Sequence, residues 1–180
     1  MTVAAVPLVN RNPAAAAALV VAGGGVAAIL GALVFQYGLG IPPCPLCLDQ
    51  RLVYYAAIPL AAIVALGAVR GAPRPLVVGG LALLALAMLC GAAIAFYHAG
   101  VEWKWWPGPR DCSGPLEQLG SRNLLEQLQT ISIVRCDEAP WRLLGLSLAG
   151  YNVLISLALA AVAAWGIVAT RQAGQPGRLL

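Results

Sequence analysis

The residues best placed to do chemistry in this chain are Cys44-Pro45-Leu46-Cys47, with Asp49 and Arg51 just after them. Two thiols at Cys-x-x-Cys spacing close a small disulfide ring, and neighbouring charge sets their readiness for exchange. The same spacing also serves as half of a structural zinc site, so the motif alone leaves redox and metal chemistry open. Arg51 stands four residues after Cys47. On a helix that begins near Leu48, this spacing turns the guanidinium back toward the sulfur, where a cation stabilises a thiolate. The alternative is an interfacial arginine whose charge reaches out to lipid phosphate.

Three further residues join the candidates. Cys112 and Cys136 lie 24 positions apart (136 − 112), too far for a local motif and close enough for a disulfide within one loop. A zinc site favours a second close-set pair, which this sequence lacks. Two separate disulfides, Cys44–Cys47 and Cys112–Cys136, fit better. The first is a small ring in a proline-rich turn beside a cation, and the second lies in a polar loop; strained or exposed disulfides are the exchangeable ones. His98 is the only histidine. It reads either as part of this site or as a polar residue marking a helix end. Cys90 falls inside an apolar run and reads as a small buried hydrophobe.

The elements that position these residues are membrane helices. The chain is 61% hydrophobic and only 10% charged, where a soluble domain carries about a quarter charged residues. Four apolar runs cover residues 14–35, 52–69, 76–97 and 146–169. The first, with 22 residues, rises about 33 Å as a helix, enough for a hydrocarbon core of about 30 Å. It is longer than the apolar core of a cleaved signal, about 7–15 residues, so it reads as an uncleaved anchor. Gly23, Ala27 and Gly31 recur every fourth residue and predict a face for close helix contact. Pro42, Pro43 and Pro45 predict an extended turn leading into the second run, and Pro59 a kink within it. The fold class expected is all-α: one four-transmembrane-helix bundle over 1–180, with a short loop at 36–51 and a long one at 98–145. Within the long loop, Asn123 and Glu126 predict the cap of an interfacial helix carrying Leu124, Leu125, Leu128 and Ile131. Trp103, Trp105 and Trp106 read as an interfacial anchor. Asn152 and Ser156, one turn apart in the fourth run, predict contacts with neighbouring helices.

Charge orients the bundle. Arg11, Arg70, Arg74, Arg171 and Arg178 lie on the side of the termini, which holds no acid. The long loop mixes Lys104, Arg110, Arg122, Arg135 and Arg142 with six acids. The positive-inside rule puts both termini in the cytoplasm and both cysteine-bearing loops outside. The outside of a bacterial inner membrane is an oxidising space where disulfides persist. The net charge of +4 comes from single arginines beside apolar runs, with no basic patch interleaved with aromatics, so nucleic acid is not an expected partner. No run carries a charge at its midpoint, which argues against a transporter.

Cys44-Pro45-Leu46-Cys47-Leu48-Asp49-Gln50-Arg51 resembles the Cys-x-Leu-Cys-x-x-x-Arg signature of the disulfide bond formation protein B (DsbB) family. Phe96-Tyr97-His98, Pro107 and Arg110-Asp111-Cys112 resemble that family's third-helix end and long-loop opening, and Cys136 matches its second loop cysteine. The resemblance spans about residues 14–170. It implies a quinone-coupled thiol oxidase of the bacterial inner membrane, which reoxidises a periplasmic thioredoxin-fold oxidant (DsbA-like) and passes electrons to ubiquinone or menaquinone. It further implies that the partner attacks Cys112 and that Cys136, once released, attacks Cys44. Cys47 then faces the quinone, with Arg51 and His98 as quinone contacts. A vitamin K epoxide reductase-like enzyme shares the architecture, but there the Cys-x-x-Cys follows the loop pair rather than preceding it. A non-enzymatic zinc-binding membrane protein is the reading from another class.

Overall fold

The computed structural model describes residues 12–109 and 135–173. Helix α1 runs Pro13–Leu33 and continues as a π-helical turn over Val34–Gly38. Helix α2 runs Pro45–Val69, α3 Arg74–Glu102 and α4 Leu148–Ala173. All four are long and apolar enough to cross a membrane. They pack as a ring in which α1 touches α2 and α4, and α3 touches α2 and α4. This is the expected four-helix membrane bundle. The cysteine motif and His98 lie at one end of it, called here the cysteine end, and Arg70, Arg74 and Arg171 at the other.

Local sequence sets the helix ends. The Asn12 side chain accepts a hydrogen bond from Ala15 N (3.1 Å) as the cap of α1, and its Nδ2 donates to Ala68 O (2.9 Å), tying α1 to the far end of α2. Gly71, at φ 77°, ends α2, and Ala72 N returns to Gly67 O. The same wrapped ending closes α3 with a non-glycine residue. Lys104 takes φ 61°, Lys104 N bonds Val101 O, and Trp105 N bonds Gly100 O. Ahead of α4, strands β1 (Arg142–Leu143) and β2 (Leu146–Ser147) pair antiparallel through a two-residue turn. Both turn residues, Leu144 and Gly145, have positive φ, as that turn demands.

The core is built from small residues. Ala17, Ala57, Ala61, Ala160 and Ala163 line it with Val21, Leu81, Leu84 and Met88. The close approaches are at Gly25 against Tyr54 and Ile58, and at Gly166 against Ala17 and Leu81. The expected face of Gly23, Ala27 and Gly31 points outward instead, and a Cβ on Gly23 or Gly31 would meet nothing within 4 Å. The buried stripe of α1 follows Ala14, Ala17, Ala18, Val21 and Gly25, so the period is right and its phase differs. Cys90 is exposed on the membrane-facing side of α3 rather than buried. The expected interfacial helix near Asn123 and Glu126 lies outside the described residues.

Candidate functional site

The second helix starts seven residues earlier than its apolar run. Pro45 occupies the first helical position, where proline lacks only an N–H that has no helical partner anyway. Cys44 is therefore the N-cap, and its sulfur accepts a hydrogen bond from Cys47 N at 3.2 Å. Cys47 sits in the first turn of α2, not in an extended turn before it. The two sulfurs are 2.6 Å apart, so closing the ring needs no backbone rearrangement. Donation to the Cys47 sulfur, and then burial, push the Cys44 thiol above the ordinary thiol range.

The two cysteines meet different surroundings. Cys44 is 4% exposed and forms a buried cluster with Leu46 and Cys136, against which Cys47 packs. Cys136 is disulfide-bonded and 1% exposed. Cys112 lies outside the described residues. Cys47 is only half-buried, with the charges of Arg51 and Glu102 within electrostatic range. Arg51 spends its hydrogen bonds on α1 rather than on sulfur: Gln36 Oε1 at 2.5 Å and Ala32 O at 3.4 Å. Gln36 belongs to the π-helical turn, a deviation frequent at functional sites.

His98 lies one turn before the end of α3, because the helix continues through Ala99, Gly100 and Val101 to Glu102. It is 3% exposed. Nε2 is 3.6 Å from Cys44 Sγ and 3.8 Å from Glu102 Oε1. A backbone hydrogen bond also links the imidazole to Cys136. Nδ1 is 2.8 Å from Gln50 Nε2. Gln50 is held in turn by Leu46 O and Asn152, and Asn152 by the Tyr54 hydroxyl, which also meets Ser156 Oγ at 3.1 Å. Asn152 and Ser156 thus make the helix contacts expected of them. The Ser147 hydroxyl donates to the Glu102 carboxylate and accepts from Gly150 N, capping α4.

The structure thus brings Cys44, Cys47, Cys136 and His98 together and sets Arg51 one turn below Cys47. Gln50, Glu102 and Ser147 are additions that sequence reasoning missed. The available signal was helical spacing, since Glu102 is four residues after His98 and Gln50 three after Cys47. By distance alone, Cys44, Cys47 and His98 could surround a metal ion, their donor atoms lying within 4.8 Å of one another.

The polar segment above the site is pinned at several points. Arg135 holds Asp137 through two hydrogen bonds, 2.9 and 2.8 Å, and Lys104 adds a third at 2.6 Å. Trp141 packs between Phe35 of α1 and Tyr151 of α4. At the end of α3, Trp106 stacks on Tyr97 and donates to its carbonyl. A membrane-facing groove of about 750 Å³ runs between α2 and α3, lined by Leu46, Asp49, Leu52, Cys90, Ile94 and Tyr97 among others.

The family model described as "Disulfide bond formation protein DsbB" matches residues 14–166. A disulfide bond formation protein B of Aromatoleum aromaticum is 33% identical over 152 residues, 82% of this chain and 89% of that protein. The protein of that name from an Azoarcus species is 34% identical over 77% of this chain and 84% of its own length. That of Verminephrobacter eiseniae is 31% identical over 82% and 84%. No solved structure matches.

Proposed function

The chain belongs to the disulfide bond formation protein B (DsbB) family, and from that membership we propose a quinone-coupled thiol oxidase that reoxidises a DsbA-like periplasmic protein. It sits in the bacterial inner membrane with both termini in the cytoplasm, a reading supported by the arginines gathered at the end opposite the cysteines. The observation that carries the proposal is the buried cluster that Cys136 shares with Cys44 and Leu46. A disulfide handed from a soluble partner to the long loop has to reach the membrane dithiol, and these two sulfurs are where it can cross.

In this reading the resting disulfides are Cys44–Cys47 and Cys112–Cys136. The partner's thiolate attacks Cys112, releasing Cys136 as a thiolate. Cys136 then attacks Cys44, forming the Cys44–Cys136 bond and expelling Cys47 with the electron pair. Cys47, half-buried beside Arg51, faces the acceptor. A bound quinone supplies a sink for two electrons and two protons. The side chains fit such a group: a sulfur open on one side and a guanidinium one turn away, held on the α1 side of α2. Arg51 balances negative charge on Cys47 and on the acceptor oxygen. The resemblance also assigns His98 to the quinone. Its burial, with both ring nitrogens engaged, supports work on Cys44 instead.

The test uses the full chain in lipid with a quinone and a reduced thioredoxin-fold partner, following quinone absorbance. Quinone reduction should require Cys44, Cys47, Cys112 and Cys136. A partner lacking its resolving cysteine should be trapped on Cys112. Arg51→Ala should raise the apparent KM for quinone and leave that for the partner nearly unchanged. Trapping on Cys44, or quinone reduction that survives Cys47→Ser, would reverse the assigned direction of electron flow. The zinc-binding reading rests on the three clustered donors, and metal analysis of the reduced protein decides it.

A further inference from the structure

The hydrogen-bond chain behind His98 assigns the proton on its ring. A side-chain amide has one donating and one accepting end, and each end of Gln50 is spoken for. Its Nε2 lies 3.1 Å from Leu46 O, a carbonyl that can only accept. Turning the amide over would set two oxygens against each other there. Gln50 Oε1 takes the Asn152 Nδ2 hydrogen at 2.7 Å, and Asn152 Oδ1 takes the Tyr54 hydroxyl hydrogen at 2.6 Å. Every member of this chain has a partner, as polar groups within a membrane bundle require. The second hydrogen of Gln50 Nε2 therefore points at His98 Nδ1, 2.8 Å away, and Nδ1 must accept it. The hydrogen bond made by one ring nitrogen sets the protonation of the other. Nε2 then carries the proton, facing Cys44 Sγ at 3.6 Å. The other group placed at Nε2 agrees, since the Glu102 carboxylate, to which Ser147 donates, favours a donor there. An Nε2 that carries a proton is also no ligand for a metal ion.

We propose that Gln50 and Asn152 are positioning residues that hold His98 as its Nε2–H tautomer, so that the imidazole donates to the Cys44 sulfur whenever that sulfur is the leaving group. The chemical part rests on the oxidase reading above. In that cycle the Cys44–Cys136 disulfide must be opened again. A thiolate attacks Cys136, the new S–S bond forms there, the Cys44–Cys136 bond breaks, and the electron pair leaves on Cys44. The attacking sulfur is oxidised as Cys44 is reduced, so no further electron acceptor is needed. The Nε2–H meets the charge that appears on a sulfur otherwise enclosed by Leu46 and Cys136.

The single histidine makes the test direct. Full-length protein carrying ¹⁵N-histidine, reduced and in lipid nanodiscs, gives one imidazole in a long-range proton–nitrogen spectrum. Wild type should show protonated Nε2 and bare Nδ1. In Gln50→Glu, a carboxylate that only accepts should pull a proton onto Nδ1. Asn152→Ala removes the hydrogen bond to Gln50 Oε1 and leaves Leu46 O alone to orient the amide, which should raise the minor Nδ1–H tautomer; it serves if Gln50→Glu does not fold. A protonated Nδ1 in wild type, or spectra unchanged in both variants, overturns the assignment. The second readout is the rate at which a small thiol opens a preformed Cys44–Cys136 disulfide and releases Cys44. Gln50→Glu should slow it about tenfold to a hundredfold, the range for a hydrogen bond to a charged group. An unchanged rate overturns the chemical role. An Nε2–H spectrum in a protein that never forms the Cys44–Cys136 bond overturns the oxidase reading and leaves the tautomer assignment standing.

Discussion

Replacing Gly100 by alanine tests how the tryptophan-rich end of α3 is built. A Cβ at Gly100 would lie 2.1, 2.4 and 2.7 Å from three atoms of the Trp106 indole. Ordinary contact begins near 3.4 Å, so the ring must retreat by about 1.3 Å (3.4 − 2.1). It is not free to do so. Its Nε1 donates to Tyr97 O at 2.9 Å, and its face lies nearly parallel to the Tyr97 ring, 7° apart, with centroids at 5.9 Å. The retreat sacrifices a hydrogen bond of about 1 kcal/mol and an aromatic pair of about 0.5–1.5 kcal/mol. Alanine gains about 1 kcal/mol in helix preference, which would mask the loss in a single variant. Gly79, in the same helix, is the control, because a Cβ there meets nothing within 4 Å. The preference cancels between the two variants, leaving Gly100→Ala less stable than Gly79→Ala by about 1.5–2.5 kcal/mol. Denaturant titration of the purified protein in mixed micelles reads the difference, and near-UV circular dichroism reports the tryptophan. Equal stability within about 0.5 kcal/mol, with an unchanged aromatic signal, would refute the packing argument.

Two other expectations follow from the cysteines and from the ion pairs above them. Peptide mapping of the denatured, unreduced protein should find one free thiol, Cys90; three or five would break the proposed pairing. Because Cys90 is exposed on the membrane-facing side, a lipid-soluble maleimide should label it in the native protein faster than a charged one. The Asp137 carboxyl is held well below the usual carboxylate range, first by Arg135 and then by Lys104. A carboxylate depressed in this way contributes stability that is complete above its unfolded value near pH 4 and is lost as pH falls through the folded value. Asp137→Asn should therefore speed hydrogen exchange around residues 135–138 at pH 7, and its difference from wild type should shrink below about pH 4. A difference as large at pH 2 as at pH 7 would assign the effect to something other than charge.

What could be read from the chain alone divides by the range of the interaction. Four spans were legible because hydropathy is a local property, and each apolar run became a helix. The start of α2 was misplaced because three prolines between 42 and 45 look like a helix breaker. Only Pro42 and Pro43 are outside the helix, while Pro45 opens it. The end of α3 was placed at His98 because Glu102 looks like a solvent charge. In the fold Ser147 donates to its carboxylate, and Arg142 reaches its carbonyl at 3.5 Å. The packing stripe on α1 was misphased because Gly23, Ala27 and Gly31 have the spacing of a contact face, and spacing does not say which face the other helices cover. For Gln50 the spacing from Cys47 was visible, but not what the side chain would meet across the bundle. Its partners are 48 and 102 residues away, and only the ring order of the helices brings them within 3 Å.

One consequence of that ring order bears on why the dithiol sits at a helix start. Capping by Cys44 places one sulfur outside the helix and the other within its first turn, so the two cannot share one environment. Cys44 turns inward to His98 and Cys136, and Cys47 stays half-buried near Arg51 and the end of α1. A dithiol wholly inside the bundle could trade only with its neighbours, and one wholly in the loop could not meet a lipid-soluble acceptor. The N-cap arrangement gives each sulfur a different neighbourhood while keeping them within bonding reach. The polar chain from His98 through Gln50, Asn152 and Tyr54 then fixes α2, α3 and α4 at that one level of the bundle. Any loosening of these helices, for instance by Tyr54→Phe, should therefore register first as a change at Cys44, the sulfur the chain reaches, and only afterwards at Cys47.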